Sequence, residues 1–197
     1  MICTLGAYKS SMKKHRLLCG LAFVLGTLGL TSCYDVPDFD LSPNLTFRGI
    51  EQRTLRNPQN VRYDSLILVV RFQDGDGNLG LSETLFPEDI QGSFAPGQPN
   101  FYNFFCNLYK KTNGKYSPVL DPSGNRIVYN GRFPRLSSDS REEPLEGDIR
   151  YSINIFESGF SPIKKGDTIR FDVQVVDRTF NKSQVVTTSD VILFSQE

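Results

Sequence analysis

The run Phe72-Gln73-Asp74-Gly75-Asp76-Gly77-Asn78-Leu79-Gly80-Leu81 concentrates the side chains best suited to hold a hard cation. Asp74, Asp76 and Asn78 offer oxygen donors at alternate positions, and the glycines between and after them let the backbone curl around an ion. A calcium loop opens in this way. The match then breaks off. An EF-hand loop takes Gly at its sixth position and a bidentate Glu at its twelfth, where Leu79 and Leu85 stand. Glu83 is a further oxygen donor but falls at no EF-hand ligand position. The same residues also read as a glycine-rich β-turn whose Asp side chains bond to their own backbone. Both readings, calcium loop and plain turn, fit the sequence.

A second polar stretch, Val176-Asp177-Arg178-Thr179-Phe180-Asn181-Lys182-Ser183-Gln184, has the composition of a closed hairpin loop. If the two loops share one end of the fold, Asp177 completes an ion site with Asp74 and Asp76. Otherwise Asp177 locks its own loop and Arg178 forms an ion pair. Catalysis has fewer candidates. The carboxylate pairs that a glycoside hydrolase would use are Asp74 with Asp76, Glu142 with Glu143, or a pair that includes Asp177. Acids two apart in a tight turn are poorly placed as acid and nucleophile. Glu142 and Glu143 sit in the charged stretch SSDSREEPLEGD, which reads as a solvated loop. No catalytic residue is assigned.

The elements that position these loops lie behind a distinctive N-terminus. Lys13, Lys14, His15 and Arg16 form a basic start, Leu17 to Leu30 is a run of 14 uncharged residues, and Leu30-Thr31-Ser32-Cys33 closes it. A short apolar run with a basic start and small residues at its end is a secretory signal. It falls short of the roughly 20 apolar residues of a spanning helix. The closing four residues resemble the lipobox of bacterial lipoproteins, which implies cleavage before Cys33 and a lipid on its thiol. Two or more acyl chains give stable anchoring where one does not. Residues 1–32 are therefore expected to be a signal peptide. Met12 opens a complete signal of this kind, so translation is expected to start there; a precursor peptide from residues 1–11 would contradict it.

Cleavage would change the chemistry left behind. It removes Lys9, Lys13, Lys14 and Arg16 but no acid, which takes the formal charge from zero to −4. A mildly acidic chain without a basic patch is a poor partner for nucleic acid. It also removes His15, the sole histidine, and with it histidine triads and histidine metal sites. Of the four cysteines only Cys106 is left unmodified, so no intrachain disulfide can form. Cys106 falls on an apolar strand face, where a thiol is ordinarily inert core.

Residues 33–43 read as a lipidated tether, extended by its prolines and acidic through Asp35, Asp38 and Asp40. The acids are either a solvated linker or a signal that sorts the lipoprotein to the cell surface. Residues 44–197 read as one domain built of strands. Leu66, Leu68, Val70 and Phe72 alternate with polar or less apolar neighbours. So do Tyr102, Phe104, Cys106 and Leu108, then Ile149, Tyr151, Ile153 and Ile155, then Ile169, Phe171, Val173 and Val175. Shorter strands are expected at 45–50, 115–120 and 126–133, and over 183–193 with a break. Asn113-Gly114, the 121–125 segment and Lys165-Gly166-Asp167 supply turns. Seven to eight strands of this kind predict an all-β, antiparallel β-sandwich of immunoglobulin-like type, without the antibody disulfide or a buried Trp. Residues 81–100 interrupt the series, and Phe86, Phe94 and Phe101 suggest that they pack. Tyr116, Tyr129 and Phe133 are aromatic candidates for stacking on sugars, although strand aromatics are more often core.

The blocks FQDGDGNLGL, VYNGRFPRL, LEGDIRYSINI and DTIRFDVQVVDRTFNKSQVVTT, spread over residues 62–194, resemble a family of Bacteroidetes-type outer-membrane lipoproteins of unknown function. The family pairs an Asp-Gly-Asp-Gly turn after a Phe-bearing strand with a late Asp-Arg-x-x-Asn-x-Ser segment. The resemblance implies a lipid-anchored precursor in the outer membrane and a β-rich domain; it implies no activity. The function expected is a non-catalytic, lipid-anchored envelope module, binding or structural, with an envelope protein or glycan as partner. A calcium-stabilised adhesion or glycan-binding domain is the alternative, and a carboxylate hydrolase a third.

Overall fold

A computed structural model describes residues 37–84, 86–136 and 141–196. The expected signal peptide, the expected start at Met12, Leu85 and the expected lipidation at Cys33 lie outside the described residues. Among the described residues eight strands run in chain order: β1 (Asn44–Arg56), β2 (Arg62–Asp74), β3 (Phe104–Thr112), β4 (Lys115–Pro118), β5 (Leu145–Phe156), β6 (Thr168–Val175), β7 (Val186–Thr187) and β8 (Val191–Ile192). They form two antiparallel sheets. One has the order β1-β2-β5; the other has the order β4-β3-β6-β7, with β8 also on β6.

This is the antiparallel sandwich expected from the alternation, and its strand order resembles that of the immunoglobulin-like type. The first, second and fifth strands share one sheet, while the third and sixth form the middle of the other, as strands A, B, E and C, F do in that fold. Strand β2 shows how the pattern makes the layer. Every even-numbered residue from Asp64 to Asp74 is buried and every odd one from Tyr63 to Gln73 is only half covered. Leu66, Leu68, Val70 and Phe72 thus meet Phe104, Cys106, Leu108, Phe171, Val173 and Val175 from the opposite sheet in one core. The Phe104 and Tyr151 rings stack across it at 4.1 Å. A fully buried Leu, Val or Phe contributes about 1.5–3 kcal/mol, and a disulfide about 2–4 kcal/mol. Two such side chains therefore offset the disulfide that this sandwich does without.

Two segments differ from expectation. Residues 126–133 make isolated bridges, Asn107 to Val128 and Phe104 to Gly131, in place of a regular strand. The reason is local: the Asn130 side-chain oxygen accepts the Cys106 amide at 3.0 Å, taking a place that a backbone carbonyl would hold in a ladder. Tyr102 lies just before β3 and is exposed. The break expected within 183–193 falls at residues 188–190, between β7 and β8. The 38–43 stretch is also in contact with the fold before β1 starts, since the Gly75 amide donates to the Asp40 carbonyl at 2.9 Å.

Candidate metal centre

Strand periodicity aims Asp74 inward, because it continues the buried face of β2 past Phe72. The chain then turns through Gly75-Asp76-Gly77 and runs under other backbone. Gly80 has φ +93, and a Cβ there would strike the Pro134 carbonyl. Gly77 has φ +65 and lies as close to the Glu143 carbonyl. Only glycine meets both demands, the left-handed backbone and the close approach. The loop is held down by the Leu81 amide on the Phe133 carbonyl at 2.9 Å and by the fully buried Leu79 side chain.

The loop after β6 closes over the same place. Asp177 is 2% exposed. Its Oδ1 accepts the amides of Thr179 and Asn181, each at 2.8 Å, and the Thr179 hydroxyl at 3.0 Å. Its Oδ2 accepts the Asn181 side-chain amide at 2.9 Å. Asx-type bonding of this kind explains why Asp at the first position and Asn at the fifth suit the loop. Phe180, half exposed, sits in the left-handed region at φ +71 and stacks on Phe94 at 5.4 Å.

The two loops meet. One carboxylate oxygen from each of Asp74, Asp76 and Asp177 lies within 4.8 Å of the other two. Asn78 joins the loops through its side-chain amide, which donates to Asp76 at 2.7 Å and to the Thr179 hydroxyl at 3.0 Å. Those two acceptors fix the orientation of the amide and leave its oxygen, which is buried, without a partner. Asp74 is 0% exposed, and neither of its carboxylate oxygens has a hydrogen-bond partner. The amides of Leu79 and Asn78 point toward it and pull its pKa down, but neither closes a hydrogen bond. Burial, then the charges of Asp76 and Asp177, push the Asp74 carboxyl up to about 7. Burial also raises Asp76, with Asp177 and Glu142 adding to it against the Asn78 amide. A buried, ionised carboxylate without hydrogen bonds is among the costlier groups a fold can contain. It is satisfied by a proton or by a cation.

Asp74, Asp76, Asn78 and Asp177 are therefore brought together, as the shared-end reading requires. Arg178 does not follow its expectation. Its guanidinium donates to the Leu79 and Gly80 carbonyls, each at 3.3 Å, instead of pairing with an acid of the cluster. Glu83 is exposed, as are Glu142 and Glu143, so the latter two flank the loop as solvated acids. The aromatic candidates are engaged elsewhere. Phe133 is 6% exposed, Tyr129 packs edge-on against Phe171, and Tyr116 lies under Arg170 with its hydroxyl on Asp190. Cys106 is fully buried, and burial pushes its thiol pKa up, as expected for inert core.

A neighbouring buried acid has no spacing that singles it out. Asp89, 0% exposed, accepts the Ser82 amide at 2.6 Å and two bonds from Arg135, at 2.6 and 2.8 Å. Burial alone would raise its carboxyl, but the Arg135 bonds and the Ser82 amide outweigh this and hold it below the usual range. Arg135 also lies over the Phe86 ring at 3.6 Å, and Arg132 donates to the carbonyls of Phe101 and Asp89 at 2.6 and 2.9 Å. The long 81–100 connection is thus packed, as its phenylalanines suggest, with two arginines as the fasteners. The Phe-Pro-Glu-Asp segment at 86–89 is the available signal, since Pro at a first helical position marks a short turn. Against models of protein families, curated proteins and solved structures, the chain has no match.

Proposed function

We propose that the protein is a lipid-anchored, non-catalytic module of the bacterial cell envelope, held through Cys33 and acting as a binding or structural accessory. The observation that carries the non-catalytic part is that three of the four buried acids, Asp64, Asp89 and Asp177, direct their oxygens to hydrogen bonds within the protein. Asp177 closes its own loop, Asp89 clamps Arg135 and Ser82, and Asp64 accepts Gln52, Thr54 and the Phe194 amide at 2.6–2.8 Å. These bonds position backbone; a general acid or base has to face a substrate instead. The anchor rests on the Leu30-Thr31-Ser32-Cys33 motif. Fractionation of cells expressing Cys33→Ser tests it: the protein should leave the membrane fraction and migrate without lipid, and membrane retention would overturn the anchor.

A second reading, a calcium-stabilised adhesion or glycan-binding domain on the same anchor, is favoured in its calcium half by one specific observation. Asp74 holds two buried carboxylate oxygens that no protein group satisfies, beside two further carboxylates.

A further inference from the structure

We propose that a calcium ion, held by carboxylate oxygens of Asp74, Asp76 and Asp177 and the side-chain oxygen of Asn78, cross-links the two sheets of the sandwich. The inference deepens the calcium reading and rests on it.

Two independent observations carry the site. Three carboxylates converge within 4.8 Å. Separately, Asp74 is fully buried and has no partner for either oxygen, and the Asn78 oxygen is buried and unpartnered as well. Donor chemistry suits calcium: it takes about 6–8 oxygen ligands in a flexible geometry, whereas magnesium demands a near-ideal octahedron and gives up its waters reluctantly. Asp177 remains able to serve. A carboxylate has about four lone-pair sites, and its Oδ2 accepts only the Asn181 amide.

Position makes the site a cross-link. Asp74 ends β2, in the centre of the three-stranded sheet, and Asp177 follows β6, in the centre of the other. These are the places of strands B and F, which antibody domains join by a disulfide. Cys106, the free thiol among the described residues, lies on β3 and cannot make that link. Asp74, Asp76 and Asn78 come from one side of the joint and Asp177 from the other. Loss of Asp177 therefore separates a cross-link from a loop that binds calcium by itself.

The test uses the full-length protein in detergent, stripped of metal, and its Asp74→Asn and Asp177→Asn variants. Calorimetric titration with calcium chloride should show one ion bound by the unaltered protein and at least tenfold weaker binding in each variant. The unaltered protein should melt about 5–10 °C higher at a hundredfold excess of calcium over Kd. Calcium should slow amide exchange in both the 75–80 and the 177–182 segments. If Asp177→Asn binds within tenfold of the unaltered protein, or exchange slows only in 75–80, calcium sits locally on the first loop. The cross-link is then overturned while the calcium reading stands. Should Asp177→Asn fail to fold, the exchange measurement on the unaltered protein decides alone. No binding and no melting shift at millimolar calcium would remove both.

Discussion

Asp74 concentrates the energetics of this molecule in one side chain. Its ordinary pKa of 3.8 applies when the chain unfolds; in the fold, burial and the charges of Asp76 and Asp177 raise it to about 7. An acid raised in the folded state binds its proton more tightly there. Its contribution is therefore complete below the unfolded value and lost as pH rises through about 7. Every tenfold gain in proton affinity on folding is worth about 1.4 kcal/mol. In chelator, melting temperature should thus rise as pH falls from about 8 to about 5.5, and Asp74→Asn should flatten that slope. A flat profile in the unaltered protein would mean that Asp74 keeps its charge compensated in some other way. With calcium present the slope should weaken or reverse, because protons then compete with the ion.

Gly80 is a second residue on which this site depends. At φ +93 and against the Pro134 carbonyl, it leaves no room for a methyl group. Gly80→Ala should cost about 2 kcal/mol or more, as backbone strain and overpacking combine. Gly114, at φ +77 with open space around it, isolates the backbone term. Gly114→Ala should cost about 1 kcal/mol. Denaturant melts of the pair would check this, and equal losses would contradict the account of the loop.

At the scale of elements, the long β2–β3 connection behaves as a fastened cover. Arg135, with its side chain 11% exposed, is the fastener for Asp89, whose side chain is 1% exposed. Removing one partner of a buried pair costs about 3–5 kcal/mol, because the other is left charged and desolvated. Arg135→Ala should lower stability by that order and open residues 83–101 to limited proteolysis. An Asp89→Ala/Arg135→Ala double variant should lose less than the two single losses combined, because the stranded charge is gone. Cleavage unchanged in Arg135→Ala would show that Arg132 alone holds the cover. The strands themselves are legible in the sequence. In β2, β3, β5 and β6 a period of two sorts the core-facing positions from more exposed ones, and it even aims Asp74 inward. The same period predicts a strand over 126–133. The alternation there is real, but the Asn130 side chain replaces a ladder bond, and residue patterning does not register a substitution of that kind.

At the scale of the whole molecule, stability depends on two sheets that share a core and have no covalent bond between them in the described residues. Cys106 is a buried, free thiol. A reductant should therefore leave the melting temperature unchanged, whereas a chelator should lower it. A drop on adding reductant would point to a disulfide outside the described residues and would weaken the case for an ion as the inter-sheet link. The anchor proposed at Cys33 belongs to this scale too. Gly75 meets the backbone of Phe39 and Asp40 just before β1, which puts the acid cluster near the start of the described residues.

By itself the sequence determined the strand faces, the all-β class, the poverty of thiols and histidine, and the two acidic loops as the places to look. These follow from local rules: side-chain period, turn chemistry and residue inventory act over a few neighbouring positions. Only the tertiary structure decided that the two loops meet. Asp74 and Asp177 are about a hundred residues apart, and no local periodicity relates them. They are joined because β2 and β6 are central strands of facing sheets and end on the same side of the sandwich. The pairing order also decided that Arg178 reaches carbonyls instead of the acids, and so left Asp74 without a partner. An acidic loop that is incomplete along the chain as a calcium loop gains a third carboxylate from across the fold.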